Sequence, residues 1–542
     1  MKKYILSIVI SATLFSCSDL DVVPIGQISD SNFPLSDDDA VAVVNAVYQP
    51  NVGISTALGY TIDLTSELEI NAENPNSGGA LLGVMEWEPN NSYVASVWNG
   101  LFNTITRAND VVDKISPSGI ITPALKTRLV GEAKFLRAYS YFYLVQLWGE
   151  TPLVLHNIDG DKVPRTAIND VYAQIVTDLK DAADALPAYT DYASSDKGRA
   201  SKGAALAYLS KVYLVWGQVD DNADAATRKE RYNESVRYAN LVTGYSLEEN
   251  FLANWDINNR NGKEDIFSVQ HKTGQASATS GGNHLVHCSF YGGLSNSLFP
   301  HVYPTTNFQR DPNDPNIIKK IIVSTIVNKW IDDFDDRDQR KRGTYLKDYR
   351  INKDSVFVYE FARYRKYIDT THITTTATTI DVNRTVIRYA EVLLLKAEAI
   401  NERDGAPNAE AYEAINQVRR RAFRQPPSGA SEIADLPTGL NYDQFKARIQ
   451  QERVFELTYE QNRWTDLVRW RIYLKTLNEA VNNGYISAEF GKQNVKPHYY
   501  RFPIPKSERD IDPERMWQNY GFAGSTVSEN PYRSYEPGYT DK

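Results

Sequence analysis

The charged side chains between Glu452 and Asp466 have the types and spacing from which acid–base chemistry could be built. Glu452, Glu456 and Glu460 recur every four residues and would share one face of a helix. A glycoside hydrolase needs two carboxyl groups about 5 to 9.5 Å apart across a bound sugar, one of them with a raised pKa. Arginines flank these carboxylates, so we predict Arg–carboxylate pairs between neighbouring helices and no enzyme activity.

Histidines cluster near one cysteine in the middle of the chain. Of seven histidines, His271, His284, His287 and His301 lie near Cys288. Imidazole and thiolate are zinc ligands, but the spacing His284-x-x-His287-Cys288 matches no established zinc pattern. A glycine-rich loop that tolerates histidine is the simpler interpretation. No metal site is predicted, and ligation remains the alternative.

An acidic run, Asp332, Asp333, Asp335, Asp336 and Asp338, is a second candidate for metal binding. It lacks the central glycine and the terminal glutamate of an EF-hand loop. We predict a solvated turn, with loose calcium binding as the alternative. The chain also has no glycine-rich phosphate loop, no G-x-S-x-G motif and no H-E-x-x-H motif, so no cofactor is predicted.

Aromatic residues are abundant, with 34 Tyr, 19 Phe and 9 Trp. Sugar rings present C–H faces to aromatic planes and hydroxyls to surrounding amides and charged groups. Two stretches between predicted helices combine these residue types, although core packing is the competing interpretation for each aromatic residue. The glycan-binding candidates are Trp87, Asn90, Asn91 and Tyr93 in the first stretch, Tyr291, Asn296, Phe299, Tyr303, Asn307 and Arg310 in the second, and Trp330 further along.

Composition restricts the class of protein. The 542 residues include 59 Lys+Arg and 68 Asp+Glu, a formal net charge of −9. An acidic chain without a basic, aromatic stripe is a poor match for nucleic acid, so no nucleic-acid partner is predicted. Beyond residue 16 no apolar run approaches the roughly 20 residues that span a bilayer.

The first seventeen residues predict a lipid-anchored protein. Lys2 and Lys3 precede an apolar run of signal-peptide length, and the run ends at Leu14-Phe15-Ser16-Cys17. This ending resembles a bacterial lipobox, in which the cysteine receives the lipid; Phe15 is bulky for its position. We expect lipidation at Cys17, which leaves Cys288 without an internal disulfide partner.

Apolar residues recur at three- and four-residue spacing over most of the chain. The pattern predicts helices over 37–48, 98–115, 123–148, 166–186, 201–216, 228–242, 385–403, 407–423, 442–459 and 464–481. Helix pairs joined by short turns are typical of an α-solenoid, and Leu209, Ser210 and Tyr213 have tetratricopeptide-like spacing. We predict a mainly all-α fold: a tetratricopeptide-like scaffold of helical pairs with a large irregular insertion of loops and short strands.

The insertion lies where helical periodicity fails. It is rich in Gly, Ser and Thr, and 345–367 reads as a hairpin around Asn352-Lys353-Asp354. The predicted organisation is a signal peptide (1–16), a tether (17–35) and a single domain (36–542). Within that domain we assign a helical scaffold (36–245 and 385–482), the insertion (246–384) and an extended C-terminal arm (483–542).

Five stretches in order resemble the SusD/RagB family of Bacteroidetes outer-membrane lipoproteins. They are GEAKFLRAYSYFYLVQLWGETPLV from Gly131, RASKGAALAYLSKVYL from Arg199, VIRYAEVLLLKAEAINE from Val386, ERVFELTYEQNRWTDLVRW from Glu452 and FPIPKSERDIDP from Phe502. Ser18-Asp19-Leu20-Asp21 resembles the acidic signal that exports such lipoproteins to the cell surface. In the first stretch Glu132, Arg137 and Trp148 are expected to pair and pack in the interior.

The resemblance implies an α-helical fold on tetratricopeptide-like units. It also implies a lipoprotein anchored in the outer membrane and exposed at the cell surface. Such a protein captures oligosaccharides or polysaccharides without catalysis and delivers them to a SusC-like TonB-dependent transporter, as one step in polysaccharide utilization and nutrient uptake. Two alternatives remain at this stage: the same architecture capturing peptides, as in the RagB branch, and a tetratricopeptide-like assembly scaffold without a small ligand.

Overall fold

Helices dominate the structure. The computed structural model describes residues 34–70, 78–157, 163–272, 308–310, 317–320, 331–352, 355–367 and 381–540. The helices are α1 (Asp37–Leu58), α2 (Gly78–Gly83), α3 (Ser92–Ile115), α4 (Pro123–Trp148), α5 (Ile168–Ala185), α6 (Lys202–Val219), α7 (Ala225–Leu241), α8 (Gln339–Thr344), α9 (Tyr389–Asp404), α10 (Ala409–Ala422), α11 (Tyr442–Leu457), α12 (Arg463–Arg469), α13 (Tyr473–Asn482) and α14 (Lys506–Ile511). The strands are β1 (Thr151–Pro152), β2 (Arg165–Thr166), β3 (Asp265–Val269), β4 (Phe308–Arg310), β5 (Ile317–Lys320), β6 (Tyr345–Asn352), β7 (Ser355–Tyr364) and β8 (Arg384–Arg388).

The long helices pack mainly on their neighbours in the chain. α1 packs on α3, α3 on α4, α4 on α5, α5 on α6 and α6 on α7, after which α7 packs on α9 and α9 on α10. Contacts between successive helices are the mark of a solenoid. The prediction of a mainly all-α fold is therefore confirmed. In the part of the chain that the structure describes, no helix has the length and apolar character of a bilayer span.

The first helix runs further than predicted. We expected it to end at residue 48, before Pro50, but α1 continues to Leu58. Proline has no backbone N–H, so it cannot bond the carbonyl four residues earlier, that of Ala46. Arg107 fills this place, because its Nη1 donates to the Ala46 oxygen at 2.6 Å. A side chain from α3 thus stabilises the helix across its proline.

Short strands bring the two ends of the insertion together. β3 pairs with β8 in antiparallel fashion, with Asp265 opposite Arg388. The predicted hairpin is confirmed: β6 and β7 pair antiparallel, with Asn352 opposite Ser355. β7 also pairs in parallel with β5, and β5 pairs antiparallel with β4, which completes a sheet of order β4-β5-β7-β6. The chain therefore leaves and rejoins the helical array at adjacent points.

The C-terminal segment enters the core. Tyr499, Tyr500, Phe502 and Ile504 are each at most 1% exposed. The Phe502 N–H donates to the Leu147 oxygen at 2.8 Å, at the end of α4. Residues far apart in the chain thus share one interior.

A buried ion-pair cluster joins α8, β8, α10 and α11. Glu456 accepts from Arg388 at 2.5 Å, from Arg340 at 2.9 Å and from Arg421. The full set, which we call the central ion-pair cluster, has five acids (Glu264, Asp338, Glu452, Glu456, Glu460) and five bases (Arg340, Lys366, Arg388, Arg419, Arg421). The prediction that the glutamates of α11 pair with arginines between helices is confirmed.

Other predicted pairs follow the same principle. Arg453 binds Asp466 through two hydrogen bonds of 2.7 and 3.0 Å. Arg137 binds Asp178 with two bonds of 2.8 Å. Glu132 is fully buried and accepts from Arg199 at 3.0 Å. Paired buried charges fix the register of neighbouring helices at a desolvation cost that their hydrogen bonds offset.

Another buried pair, Glu398 with Arg469, predicts how the stability of the protein responds to acid. Burial opposes ionisation of Glu398, but the Arg469 guanidinium outweighs burial and lowers the Glu398 pKa to about 2. A carboxyl group with a lowered folded-state pKa contributes its stability above the unfolded-state value of 4.5, and that contribution is lost as pH falls toward the folded pKa. We expect the urea midpoint to fall steadily below about pH 4.5.

The measurement is a set of urea titrations between about pH 5 and 3, followed by tryptophan fluorescence. Carboxyl groups with lowered pKa values do not account for changes in stability at higher pH. Burial raises the pKa of Asp265 and of Glu536 to about 7, so these two groups lower stability as pH rises. Glu398→Gln should show a shallower loss in acid than the parent protein. A midpoint that stays constant or rises below pH 4.5 would contradict this account.

Candidate functional site

The first candidate stretch forms the start of a helix. α3 begins at Ser92, six residues before the predicted 98, because Asn91 caps it. The Asn91 side-chain oxygen accepts from the N–H groups of Tyr93 at 3.0 Å and Val94 at 3.3 Å, and its amide donates to the Gly78 oxygen at 2.8 Å. Capping satisfies backbone donors that the helix leaves free. Asn91 is therefore structural, and Tyr93 lies in the first turn.

A tight turn presents Asn90 beside this cap. The Asn91 N–H donates to the Glu88 oxygen at 3.0 Å, which closes a turn with Pro89 at its second position. Lys506 reaches the turn from the C-terminal segment, because its N–H donates to the Pro89 oxygen at 2.8 Å. Asn90 is exposed at the tip. Its amide can donate to and accept from a hydroxylated ligand.

Tyr93 is half-buried and rests against a second tyrosine. The ring centroids of Tyr60 and Tyr93 lie 4.3 Å apart at an interplanar angle of 35°. Tyr60 belongs to a π-helical turn, Gly59–Asp63, that follows α1 directly. A Cβ atom at Gly79 would lie 2.6 Å from the Tyr60 ring, so α2 approaches this closely only because residue 79 is glycine. The contact limits the movement of the Tyr93 ring.

Trp87 does not serve as an exposed platform. It is 3% exposed, and its ring stacks with Tyr499 at 4.2 Å and with Phe502 at 4.3 Å. Its indole N–H donates to the Leu82 oxygen at 3.2 Å. The prediction of a ligand contact at Trp87 is wrong in this structure, because the C-terminal segment already covers the ring. Trp87 instead packs in the core against the C-terminal segment.

The other candidates lie outside the described residues. This holds for Tyr291, Asn296, Phe299, Tyr303, Asn307 and Trp330, for His284, His287, Cys288 and His301, and for Cys17. Arg310 is described only as part of β4. These assignments stay predictions.

The acidic run that could bind a metal is engaged with basic residues. Asp335 pairs with Arg337 at 2.6 Å, Asp336 with Lys341 at 2.7 Å and Asp338 with Arg340 at 2.7 Å. Asp338 also caps α8. Within the described parts of the chain, no group of three or more His, Cys, Asp or Glu side chains could hold a metal ion.

The site that emerges is Tyr60, Tyr93, Asn90 and the Asn91 cap. Asn90, Asn91 and Tyr93 are candidates from the sequence, whereas Tyr60 is not. Tyr60 lies beyond residue 48, where the first helix was predicted to end. Tyr60 could have been found only if the first helix had been predicted to continue through Pro50. The surface can stack an apolar ring face and hydrogen-bond hydroxyls. Its four side chains carry no charge at neutral pH.

The sequence matches two descriptions of one family. Residues 339–522 match the SusD family, and residues 42–214 match the family described as starch-binding and associating with the outer membrane. SusD-like protein P2 of Formosa agariphila is 27% identical over 558 residues, covering 96% of this chain and 100% of the relative. Starch-binding protein SusD of Bacteroides thetaiotaomicron is 24% identical, covering 81% of this chain and 80% of its own length.

Solved structures agree on the fold. The crystal structure of a SusD homolog from Bacteroides thetaiotaomicron matches with a TM-score of 0.72 at 23% identity, covering 90% of this chain and 98% of that one. One sequence match lies before the insertion and the other begins within it, and the structural match covers 90% of the chain. The chain belongs to the SusD-like family.

Proposed function

We propose that this protein is a non-catalytic glycan-binding lipoprotein of the cell surface, which captures oligosaccharides and delivers them to a SusC-like TonB-dependent transporter. Its family is described as starch-binding and associating with the outer membrane, and one relative is named a starch-binding protein. The observation that carries the proposal is the Tyr93–Tyr60 pair beside the Asn90 turn.

The chemistry of this surface suits a neutral sugar. A half-buried tyrosine ring offers an apolar plane to the C–H face of a pyranose, and its contact with Tyr60 reduces the entropy lost on binding. The exposed Asn90 amide supplies a donor and an acceptor for ring hydroxyls. Further ligand contacts are proposed at Tyr291, Asn296, Phe299, Tyr303, Asn307 and Trp330, which lie outside the described residues.

The absence of catalysis is part of the proposal. Glycoside hydrolysis requires a carboxylic acid and a carboxylate that face the same sugar. Glu452 and Glu456 of α11 and Glu460 just after it are at most 5% exposed, and each binds arginine or lysine. A buried carboxylate held in this way by basic side chains is not open to a substrate.

We include a lipid anchor at Cys17 in the proposal. Each buried CH₂ of an acyl chain adds about 0.8 kcal/mol to membrane binding, so a multiply acylated cysteine would anchor a water-exposed body durably. The test is metabolic labelling with an alkyne fatty acid, in which Cys17→Ala should lose the label and leave the membrane fraction. Label retained by the variant would refute the anchor.

Replacing Tyr93 by alanine is expected to weaken glycan binding at least about tenfold, or 1.4 kcal/mol. The change removes the apolar plane but keeps the Asn91 cap, which uses only the backbone N–H of residue 93. The measurement is affinity electrophoresis of the full-length chain against a polysaccharide panel, followed by calorimetry with the glycan that retards it. Peptide mixtures form a second arm of the panel.

Two control variants distinguish the role of the Tyr93 ring from that of its hydroxyl, and an effect at the proposed site from a general effect on the scaffold. Tyr93→Phe keeps the ring and should keep most of the affinity. Tyr412→Ala removes a tyrosine that is also half-buried but lies on α10, and it should leave binding unchanged. Equal binding by Tyr93→Ala and the parent protein would refute the site, and binding to peptides alone would refute the ligand class.

A further inference from the structure

A second concave region lies apart from the tyrosine pair. It is a cleft of about 660 Å³ between α1, the loop at 195–199 and the end of β3. This volume is in the range of small-molecule sites. Tyr48, Val52 and Phe267 supply apolar lining, and amide side chains such as Gln49 and Gln270 supply polar groups.

The charge of this cleft is opposite to that of the whole protein. Lys197, Arg199, Arg260 and Lys272 line it, and the described lining includes no aspartate or glutamate. The net charge of the chain is −9, so a carboxylate-free cationic cleft is a local feature and not a consequence of composition. Such a cleft attracts anions.

Three of these four cations are available to a ligand. Arg199 is not, because it binds Glu132 at 3.0 Å and Asp196 at 2.9 Å. Arg260 donates only to neutral acceptors, the His271 carbonyl and the Asn383 amide, both at 2.7 Å.

Lys197 is exposed, and its ammonium lies 5.3 Å from the Tyr189 ring. Among the residues with described positions, no carboxylate pairs with Lys197 or Arg260.

A buried amide that borders the cleft has no hydrogen-bond partner among the described residues. Asn51 lines the cleft and is 3% exposed, yet neither its Oδ1 nor its Nδ2 hydrogen-bonds to any described residue. A buried polar group without a hydrogen bond lowers stability, so a native protein that retains one usually has a reason. Asn51 can donate to one hydroxyl and accept from another at the same time.

We propose that this cleft is a second ligand site, which binds a saccharide that carries a carboxylate or a sulfate. The anionic group is held by Lys197 and Arg260, and the ring hydroxyls are held by Asn51 and Gln49. The aromatic ring of Tyr48 lies in the same wall. This site does not depend on the Tyr93 surface, and it selects a different chemical class from the neutral glycan proposed there.

Calorimetry of the full-length chain with three probes tests the proposal. Trigalacturonate carries carboxylates, glucose 6-sulfate carries a sulfate and maltotriose is neutral. We expect an acidic probe to bind, more weakly as salt is raised. Lys197→Glu should weaken that binding at least about tenfold, and Lys202→Glu, which makes the same charge change at an exposed position that does not line the cleft, should change it less than about twofold.

Preference for trigalacturonate or for glucose 6-sulfate identifies the anionic group. Tyr93→Ala should bind the acidic probe as the parent does, which separates this site from the proposed glycan surface. The proposal is overturned if neither acidic probe binds, or if Lys197→Glu and the parent protein bind them equally.

A second variant tests the buried amide. Asn51→Leu replaces the unpartnered amide with an apolar side chain of similar size, which should raise the melting temperature because a desolvated polar group is removed. The same variant should lose the acidic probe. Affinity unchanged in Asn51→Leu would show that the amide does not contact the ligand.

Discussion

Replacing Glu456 by glutamine is expected to lower the free energy of unfolding by about 3–5 kcal/mol. Arg340, Arg388 and Arg421 share this carboxylate, and each of their side chains is at most 1% exposed. The variant leaves three guanidinium groups in the interior with one negative charge fewer. A glutamine amide would also direct N–H donors toward other donors. Urea unfolding followed by tryptophan fluorescence measures the change.

A matched variant isolates the effect of burial. Glu479→Gln makes the same chemical change on α13, where the side chain is 48% exposed and 3.8 Å from Lys475. Exposed pairs contribute about 0–1 kcal/mol, so this variant should unfold nearly as the parent does. Equal losses in the two variants would show that the charge of Glu456 does not hold the helices together.

The second large effect is expected at Trp87. Trp87→Ala should lower the free energy of unfolding by about 3–5 kcal/mol, because it opens a cavity among Tyr499, Phe502 and Trp464. The loss should appear as a lower melting temperature. Trp87→Phe should recover part of it, because a smaller ring can still stack with Phe502.

The control is a tryptophan with a different environment. Trp517 is half-buried, and its ring lies 4.8 Å from the Arg165 guanidinium. Trp517→Ala should cost less than Trp87→Ala, since fewer packing contacts are lost. If Trp87→Ala kept its melting temperature and lost glycan binding, the original prediction of a ligand platform at this residue would be restored.

Much of the helical fold was predictable because helix signals are local. Apolar spacing of three and four residues places α4, α6 and α11 close to their observed bounds. One error falls where a distant residue replaces a missing local bond. Arg107 donates a hydrogen bond to the Ala46 carbonyl oxygen that Pro50 leaves free, so α1 continues past the residue at which it was expected to end.

The candidate site was predictable only in part. Residue types pointed to Tyr93 and Asn90, since an aromatic ring and an amide in one stretch have the chemistry of sugar binding, and the structure leaves both as candidates. The same reasoning chose Trp87, which Tyr499 and Phe502 cover from more than 400 positions along the chain. Burial depends on which segments meet, and residue type does not reveal this.

By itself the sequence determined the class of fold, the family resemblance and the pairing role of the α11 glutamates. Only the tertiary structure decided which partners they take: Arg421, Arg388 and Arg340 reach Glu456 across 35, 68 and 116 positions. It also decided that Asn51 would border a cleft with no hydrogen-bond partner among the described residues. Helical periodicity is a property of neighbours in the chain, whereas charge pairing, burial and clefts arise from neighbours in space.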